Sequence, residues 1–231
     1  SEIDENNNLY LFGETHGNLN GEINNSEGLE DGFVMKVDSD GNKLWTSLVG
    51  TRFNEEFFDI AISNDGFLYV VGETSDDGRK SPNGISNSDD ILITKLDTDG
   101  KIIWTKSFGK DSSDEVGYSI EIDSNGSLYV GGRTNGNLND AQNNGDYDAF
   151  LMKLDSEGNE IWTKLFGSEN EEGLSHFEFF NDSIYLTGFS VGGEFESNTA
   201  SGDDEIIIFR IDDPLLKSSP DVIPTYAINT K

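Results

Sequence analysis

The sequence predicts an all-β protein written as one four-stranded unit repeated along the chain, and three observations predict it. A fifteen-residue segment, KVDSDGNKLWTSLVG from Lys36 to Gly50, returns as KLDTDGKIIWTKSFG from Lys95 to Gly109 and as KLDSEGNEIWTKLFG from Lys153 to Gly167. A second marker keeps the same beat: LYLFG from Leu9, LYVVG from Leu68, LYVGG from Leu128 and IYLTG from Ile184. Self-similarity at a fixed period, here 58–59 residues between tryptophans 45, 104 and 162, is the signature of a repeat architecture. Third, the local signals are all strand and turn, and no stretch sustains a 3.6-residue apolar period with caps.

The second unit shows the elements in order. FFDIAIS is followed by the turn NDG, then FLYVVGE, a long polar loop, DILITKLD, the turn TDG and KIIWTKSFG. Each run is rich in Ile, Val, Phe, Tyr and Thr and is bounded by Gly, Asn or Asp. The Asp-Gly turns suit hairpins, because glycine accepts the positive φ they demand. Each unit therefore reads as an antiparallel meander of strands A to D. The C strands, such as AFLMKL from Ala149 and EIIIFRI from Glu205, are apolar on both faces, which is the pattern of a sheet covered on both sides. Four-stranded sheets stacked face to face about an axis are the blades of a β-propeller.

The expected blades are residues 1–50, 51–109, 110–167 and 168–213. Gly-x-x-x-Trp opens the outer strand, and Trp45, Trp104 and Trp162 are expected to dock structurally between adjacent blades. Residues 214–231, with Pro214, Pro220 and Pro224, read as a linker toward a further domain. A closed four-bladed ring would instead need Val222 to Ile228 as its last D strand. The chain opens on the tail of an A strand, which favours four blades of a larger ring.

Composition narrows the partners. Fifteen Lys and Arg stand against 45 Asp and Glu, a formal charge of -30, which excludes nucleic acid and anionic membrane surfaces. There is no cysteine, hence no disulfide and no thiolate metal site. No run approaches the ~20 apolar residues of a membrane span, so direct membrane insertion is not expected.

The segments DAFLMKLDSEGNEIWTKLFG and IEIDSNGSLYVGGRTNGNLN resemble the beta-propeller repeat of secreted and surface proteins of bacteria, a likeness that covers roughly residues 1–213. The resemblance implies an extracellular or cell-surface protein whose export signal is not in this chain, with other blades or domains of the same large protein as partners. It implies no reaction.

The acids supply the candidate chemistry. Glu55, Asp114 and Glu172 fall about ten residues beyond each tryptophan, and Asp31, Asp90, Asp148 and Glu205 open the C strands. The meander brings these positions, with loop acids Asp76, Asp77, Asp89 and Asp203, to the end from which the B–C and D–A connections leave. Convergent carboxylates suit Ca²⁺, which takes about six to eight oxygens in flexible geometry. The competing reading is that these acids cap strands and stay solvated. The Asp-x-Asp-Gly turns at Asp38 and Asp97 fail as EF-hands, because position 12 is Val49 in the first. Gly188-Phe-Ser190-Val-Gly192 matches a nucleophile-elbow string but lacks the following helix. Lys36, Lys95, Lys153 and Arg210, each two residues before an aspartate, read as a charge ladder between blades.

The function expected is a non-catalytic scaffold or binding module, taking a glycan or protein ligand, with calcium as an assisting ion, on the acidic loop face. The alternative is a propeller glycoside hydrolase or lyase using paired carboxylates there, about 5–10 Å apart. No non-repeated cluster of acids with Arg and Tyr is evident in the sequence; a site with Arg52, Arg79 or Arg133 facing paired carboxylates would favour the enzyme.

Overall fold

The computed structural model describes residues 1–19, 21–24, 29–51, 53–75, 88–110, 113–180, 183–191, 194–195, 198–199, 205–212 and 226–227. Among these there is no helix. The first sheet is β1 (Glu2–Ile3), β2 (Leu9–Thr15), β3 (Asp31–Val37) and β4 (Lys43–Val49), and the second is β5 (Glu55–Ile62), β6 (Leu68–Thr74), β7 (Asp90–Leu96) and β8 (Ile102–Phe108). The third is β9 (Glu115–Ile122), β10 (Leu128–Thr134), β11 (Asp148–Leu154) and β12 (Glu160–Phe166). The fourth takes β13 (Glu171–Phe180) and β14 (Ser183–Val191), then, past a small hairpin of β15 (Glu194–Phe195) and β16 (Asn198–Thr199), β17 (Glu205–Asp212) and β18 (Tyr226–Ala227). All four are antiparallel meanders in chain order, so the fold is the expected propeller of four-stranded blades. Within the segment read as a linker, Tyr226 and Ala227 pair with Ile208 and Ile207 as the fourth strand of the last blade.

Each blade packs on the next through one apolar layer. Tyr10, Val34, Phe57, Ile60, Leu68 and Val70 are buried between blades one and two; Val71, Ile93, Ile120, Val130 and Phe150 between two and three; Tyr129, Leu151, Leu174, Phe177 and Leu186 between three and four. This is why the B and C strands of the two middle blades carry apolar residues on both faces. Among the described residues no layer of this extent joins the fourth blade to the first.

The tryptophans lock these layers at one end. Trp45 Nε1 donates to the Thr98 carbonyl of the next blade at 3.0 Å, and its ring lies against Gly100 in that blade's C–D turn. Trp104 also lies against a turn glycine, Gly158, but with the far edge of its indole, and its Nε1 is buried without a hydrogen-bond partner. Both glycines have positive φ, +81° and +69°, and a Cβ on either would meet the indole at 2.6 and 2.9 Å. The turn and the dock therefore both demand glycine. A tyrosine of the wedge's own blade backs each indole, at 6.0 Å between centroids for Tyr10–Trp45, Tyr69–Trp104 and Tyr129–Trp162. The turn acids are occupied locally: Asp38, Asp97 and Asp155 each accept from the backbone N–H groups two and four residues on.

The charge ladder is built differently from the expectation. Lys36 pairs with Asp4 at 3.2 Å and Lys153 with Asp123 at 3.3 Å, both acids lying in the A–B turn of the same blade. Ser63 stands at that turn position in the second blade, and Lys95 instead reaches Glu157 and the Ser156 carbonyl of the next blade. The aspartates two residues on are already taken by their turns.

Gly126, at φ +81°, shares the left-handed backbone of Gly158, at +69°, but has open space where a Cβ would stand. Gly126→Ala should cost about 1–2 kcal/mol for the left-handed backbone alone. Gly158→Ala should cost a further 1–3 kcal/mol or so through overpacking against Trp104, and urea denaturation of the two variants measures the difference.

Candidate functional site

At the end where the B–C and D–A connections leave, every seam between blades repeats one polar frame. An aspartate opens strand C, a glycine closes strand D opposite it, a glutamate opens strand A of the next blade, and a Thr or Ser closes that blade's strand B. Glu55 accepts from Thr51 and from Thr74 Oγ1 at 3.1 Å; Glu115 accepts from the Lys110 N–H and from Thr134 Oγ1 at 2.9 Å; Glu172 accepts from Ser168 and from Ser190 Oγ at 2.9 Å. The aspartates fold over the glycines. A Cβ on Gly50, Gly109 or Gly167 would stand 2.1 Å from Asp31, Asp90 or Asp148. This is why the repeated segment ends on glycine, and it gives Ser190 a role as a glutamate's donor rather than as a nucleophile.

Two expectations about these acids are corrected. Asp114 is not the equivalent of Glu55 and Glu172: the D–A connection of the second blade is one residue longer, so Glu115 takes that place. Nor do the acids meet on one platform. Asp31 with Glu55, Asp90 with Glu115, and Asp148 with Glu172 form three separate seam pairs, and all six residues are buried rather than solvated. Among the described residues no three His, Cys, Asp or Glu side chains are gathered at one point. The side chain of Glu205, and all of Asp76, Asp77, Asp203, Arg52 and Arg79, lie outside the described residues.

One residue before each frame position the repeat is not kept. Ahead of the three aspartates stand Glu30, Asp89 and Tyr147; ahead of the glutamates Asn54, Asp114 and Glu171; ahead of Thr15, Thr74 and Thr134 stand Glu14, Glu73 and Arg133. Adjacent strand residues face opposite ways, so these side chains leave the seams and form a rim. On the side of blades two to four the rim converges on Arg133. Its Nη1 donates to Glu171 Oε1 at 2.7 Å, and its guanidinium lies 4.5 Å from the Tyr147 ring and 5.9 Å from that of Tyr118. Tyr147 in turn donates to Asp114 Oδ2 at 3.0 Å, as does Asn135 Nδ2 at 3.1 Å. Arg133 Nε is buried without a hydrogen-bond partner.

Tyr118 reaches this cluster through a β-bulge. The register of β9 on β10 slips between Gly131 and Gly132, leaving Tyr118 as the extra residue, and Phe58 occupies the same bulge in the second blade, 5.5 Å from the Tyr118 ring. Bulges re-aim a side chain at the cost of a local pairing. In blades two to four the glycine of the marker faces the bulge: a Cβ on Gly72, Gly132 or Gly188 would stand 1.7, 1.8 or 2.0 Å from the backbone oxygen of Glu56, Val116 or Gly173.

The cluster of acids with Arg and Tyr, not evident from the sequence, is therefore present. Reading Arg133 against the repeat hides it, because its partners come from two blades, Tyr118 and Tyr147 from its own and Glu171 from the next. The signal that could have found it was the alternation of kept and unkept residues beside the frame.

Burial, with Asp89 next, pushes the Glu73 carboxyl up to about 7, while Arg133 opposes the rise. Burial and a shared hydrogen bond with Glu14 push Glu56 up to about 7. Burial and Glu178 do the same for Glu121 at the far end of β9. A carboxyl whose folded value exceeds its unfolded one contributes stability that is complete below the unfolded value, about 4.3 for Glu. That contribution is lost as pH rises through the folded value. The melting temperature should therefore fall by several degrees between pH 5 and pH 8 at constant ionic strength, and Glu73→Gln should flatten part of that slope in a calorimetric pH series.

One family comparison agrees with the fold. The beta-propeller repeat family matches residues 103–139. The chain is 28% identical over 181 residues to the regulatory protein FlaEY of Caulobacter vibrioides, an alignment covering 73% of this chain but 19% of that protein, so the chain spans less than a fifth of its relative's length. Among solved structures, a GH43 endo-arabinanase from Bacillus licheniformis aligns with a TM-score of 0.44 and 15% identity over 97% of this chain and 72% of its own. An exo-1,5-alpha-L-arabinanase from a bovine ruminal metagenomic library aligns at 0.44 and 12% over 91% and 73%. Likenesses at this level assign no reaction, and they lend no support to the expectation that the chain is not an enzyme. Residues 103–139, which run from the last strand of one blade into the B–C loop of the next, are thus a beta-propeller repeat by sequence as well as by shape.

Proposed function

We propose that the protein is a ligand-binding propeller module of an exported bacterial protein, that its seat is the rim around Arg133, and that its ligand is an uncharged oligosaccharide. The observation that carries this reading is the buried, unpartnered Nε–H of Arg133 in the one described cluster that breaks the repeat. A guanidinium fork suits paired oxygen acceptors, and a buried donor left unpaired costs free energy that a ligand oxygen would recover. Tyr118 and Tyr147 are half-buried and add ring surface with a polar tip. Glu14, Glu73, Asp89 and Asp114 surround the seat, and together with the formal charge of -30 they repel anionic ligands.

A glycan array read with the intact chain, followed by titration calorimetry, tests the reading. Binding should persist in high salt, since an uncharged ligand is not held by screened attraction. Arg133→Ala should weaken it at least tenfold, about 1.4 kcal/mol, and Arg133→Lys should not restore it, because a single ammonium lacks the fork. An array without a neutral-glycan hit would overturn the proposal.

A second reading is favoured by one observation: the Glu73 carboxyl, raised to about 7, lies within electrostatic reach of Arg133, which also holds Glu171. A protonated acid beside a second carboxylate is the arrangement glycoside hydrolysis uses. Reducing-sugar release from neutral polysaccharides, lost in Glu73→Gln, would establish that activity.

A further inference from the structure

The seam between the third and fourth blades contains an oxygen with nothing bound to it. Asp148 is fully buried; its Oδ2 accepts from the Asn144 N–H at 3.0 Å, whereas Oδ1 is buried with no hydrogen-bond partner. That oxygen lies over Gly167, 2.1 Å from where a Cβ would stand, in space that only glycine leaves open. Across the seam Glu172 is also fully buried, with Oε1 beside the hydroxyls of Ser168 and Ser190 at 2.8 and 2.9 Å and Oε2 on the Ser168 N–H at 2.6 Å. Among the described residues no lysine or arginine pairs with either acid.

Two buried carboxylates on one seam without a counter-charge are costly, and a cation between them removes the cost. The equivalent seam shows that the two acids can reach a common point: a Cβ on Gly109 would stand 2.1 Å from Asp90 Oδ1 and 2.6 Å from Glu115 Oε2. The donors available are all oxygens, with no nitrogen or sulfur side chain among them, which is the ligand set of a hard cation. A mixed carboxylate and hydroxyl set closed from two different blades has no fixed octahedral frame, which suits Ca²⁺ better than Mg²⁺.

We propose that the third inter-blade seam is a Ca²⁺ site, with Asp148 Oδ1 and Glu172 as its charged ligands, the Ser168 and Ser190 hydroxyls as neutral ones, and water completing the shell. The ion ties strand C of one blade to strands A and B of the next. It serves as a clamp between repeats and is independent of the rim around Arg133. This differs from calcium held by exposed loop acids: the ligands are internal, and Asp114 is not among them.

The test is thermal unfolding of the intact chain at pH 8 and fixed ionic strength, in EDTA, in Mg²⁺ and in Ca²⁺, together with Tb³⁺ luminescence. At a hundredfold excess over Kd, Ca²⁺ should raise the melting temperature by about 5–10 °C relative to EDTA, with Mg²⁺ giving less than half of that. Asp148→Asn, which keeps the shape, should abolish the increment and the competing Tb³⁺ signal while its far-UV spectrum in EDTA matches the parent. Asp40→Asn, at an exposed turn position, should keep both and so controls for general screening of the acidic surface. The proposal is overturned if Ca²⁺ and Mg²⁺ act alike, if neither acts at pH 8 while acidification alone stabilises (a shared proton in place of a metal), or if Asp148→Asn retains the Ca²⁺ increment.

Discussion

The structure depends on the pressing together of sheets that have two apolar faces. A single four-stranded meander with Leu68, Val70 and Leu92 on one side and Tyr69, Val71 and Ile93 on the other buries only one of them against a single neighbour. It needs another sheet on each flank, and that need drives the repetition. Contact at the required distance then dictates the special residues. Gly100 and Gly158 admit an indole against the backbone, Gly109 and Gly167 admit a carboxylate, and Gly72 and Gly132 admit the bulged backbone of their own A strand. The fifteen-residue segment recurs because its parts complete contacts with adjacent strands or blades: Gly100 and Gly158 receive Trp45 and Trp104, and Gly50, Gly109 and Gly167 lie under Asp31, Asp90 and Asp148, whereas Gly41 serves its turn alone.

The same constraint separates positions that must stay from positions that can vary. Facing into a seam, Glu and Thr or Ser recur because the hydroxyl donates to the carboxylate where water is excluded, and Asp recurs folded over the glycine that ends strand D. One residue earlier the side chain points out of the seam and meets no such demand. The rim is therefore free to carry Glu14, Glu73 and Arg133 at a single structural position. A repeat fold acquires a unique site in this way: Arg133 owes its surroundings to Asp114 of its own blade's approach, Tyr147 of its own loop and Glu171 of the next blade.

Much of the architecture was legible because it is periodic. Strand order, the hairpin turns and the docking of Trp45 and Trp104 follow from the spacing of tryptophan, glycine and apolar runs. The site was less legible for particular reasons. Counting ten residues from Trp104 lands on Asp114 because that connection has gained one residue, and only the hydrogen bond from Thr134 identifies Glu115 as the frame acid. The lysine partners were misread because i and i+2 share a face, yet Asp38 and Asp155 are already committed to backbone N–H groups, while Asp4 and Asp123 arrive from a different turn. Nothing in the sequence sets Tyr118 apart from the other strand aromatics. Its bulge is visible only in the pairing, although Gly132 opposite was a clue to a close backbone approach.

Charge, finally, is not spread evenly in its chemical consequences. At the C–D turn end, donors on Asn42 and Asn159 hold the carboxyls of Asp38 and Asp155 below the usual range, so these acids stay ionised and chemically inert near neutrality. At the loop end, burial raises Glu55, Glu56, Glu73, Glu115 and Asp148 above it. Of these, Glu56 and Glu73, raised to about 7, and Asp148, raised to about 6, come within reach of proton exchange near neutrality. Glu121, at the other end of its strand, is the exception, raised by burial and by Glu178 on the neighbouring A strand. A chain with a formal charge of -30 thus concentrates its responsive acids where the loops emerge. That face, rather than the acidic surface as a whole, carries the proposed glycan seat and the proposed calcium seam.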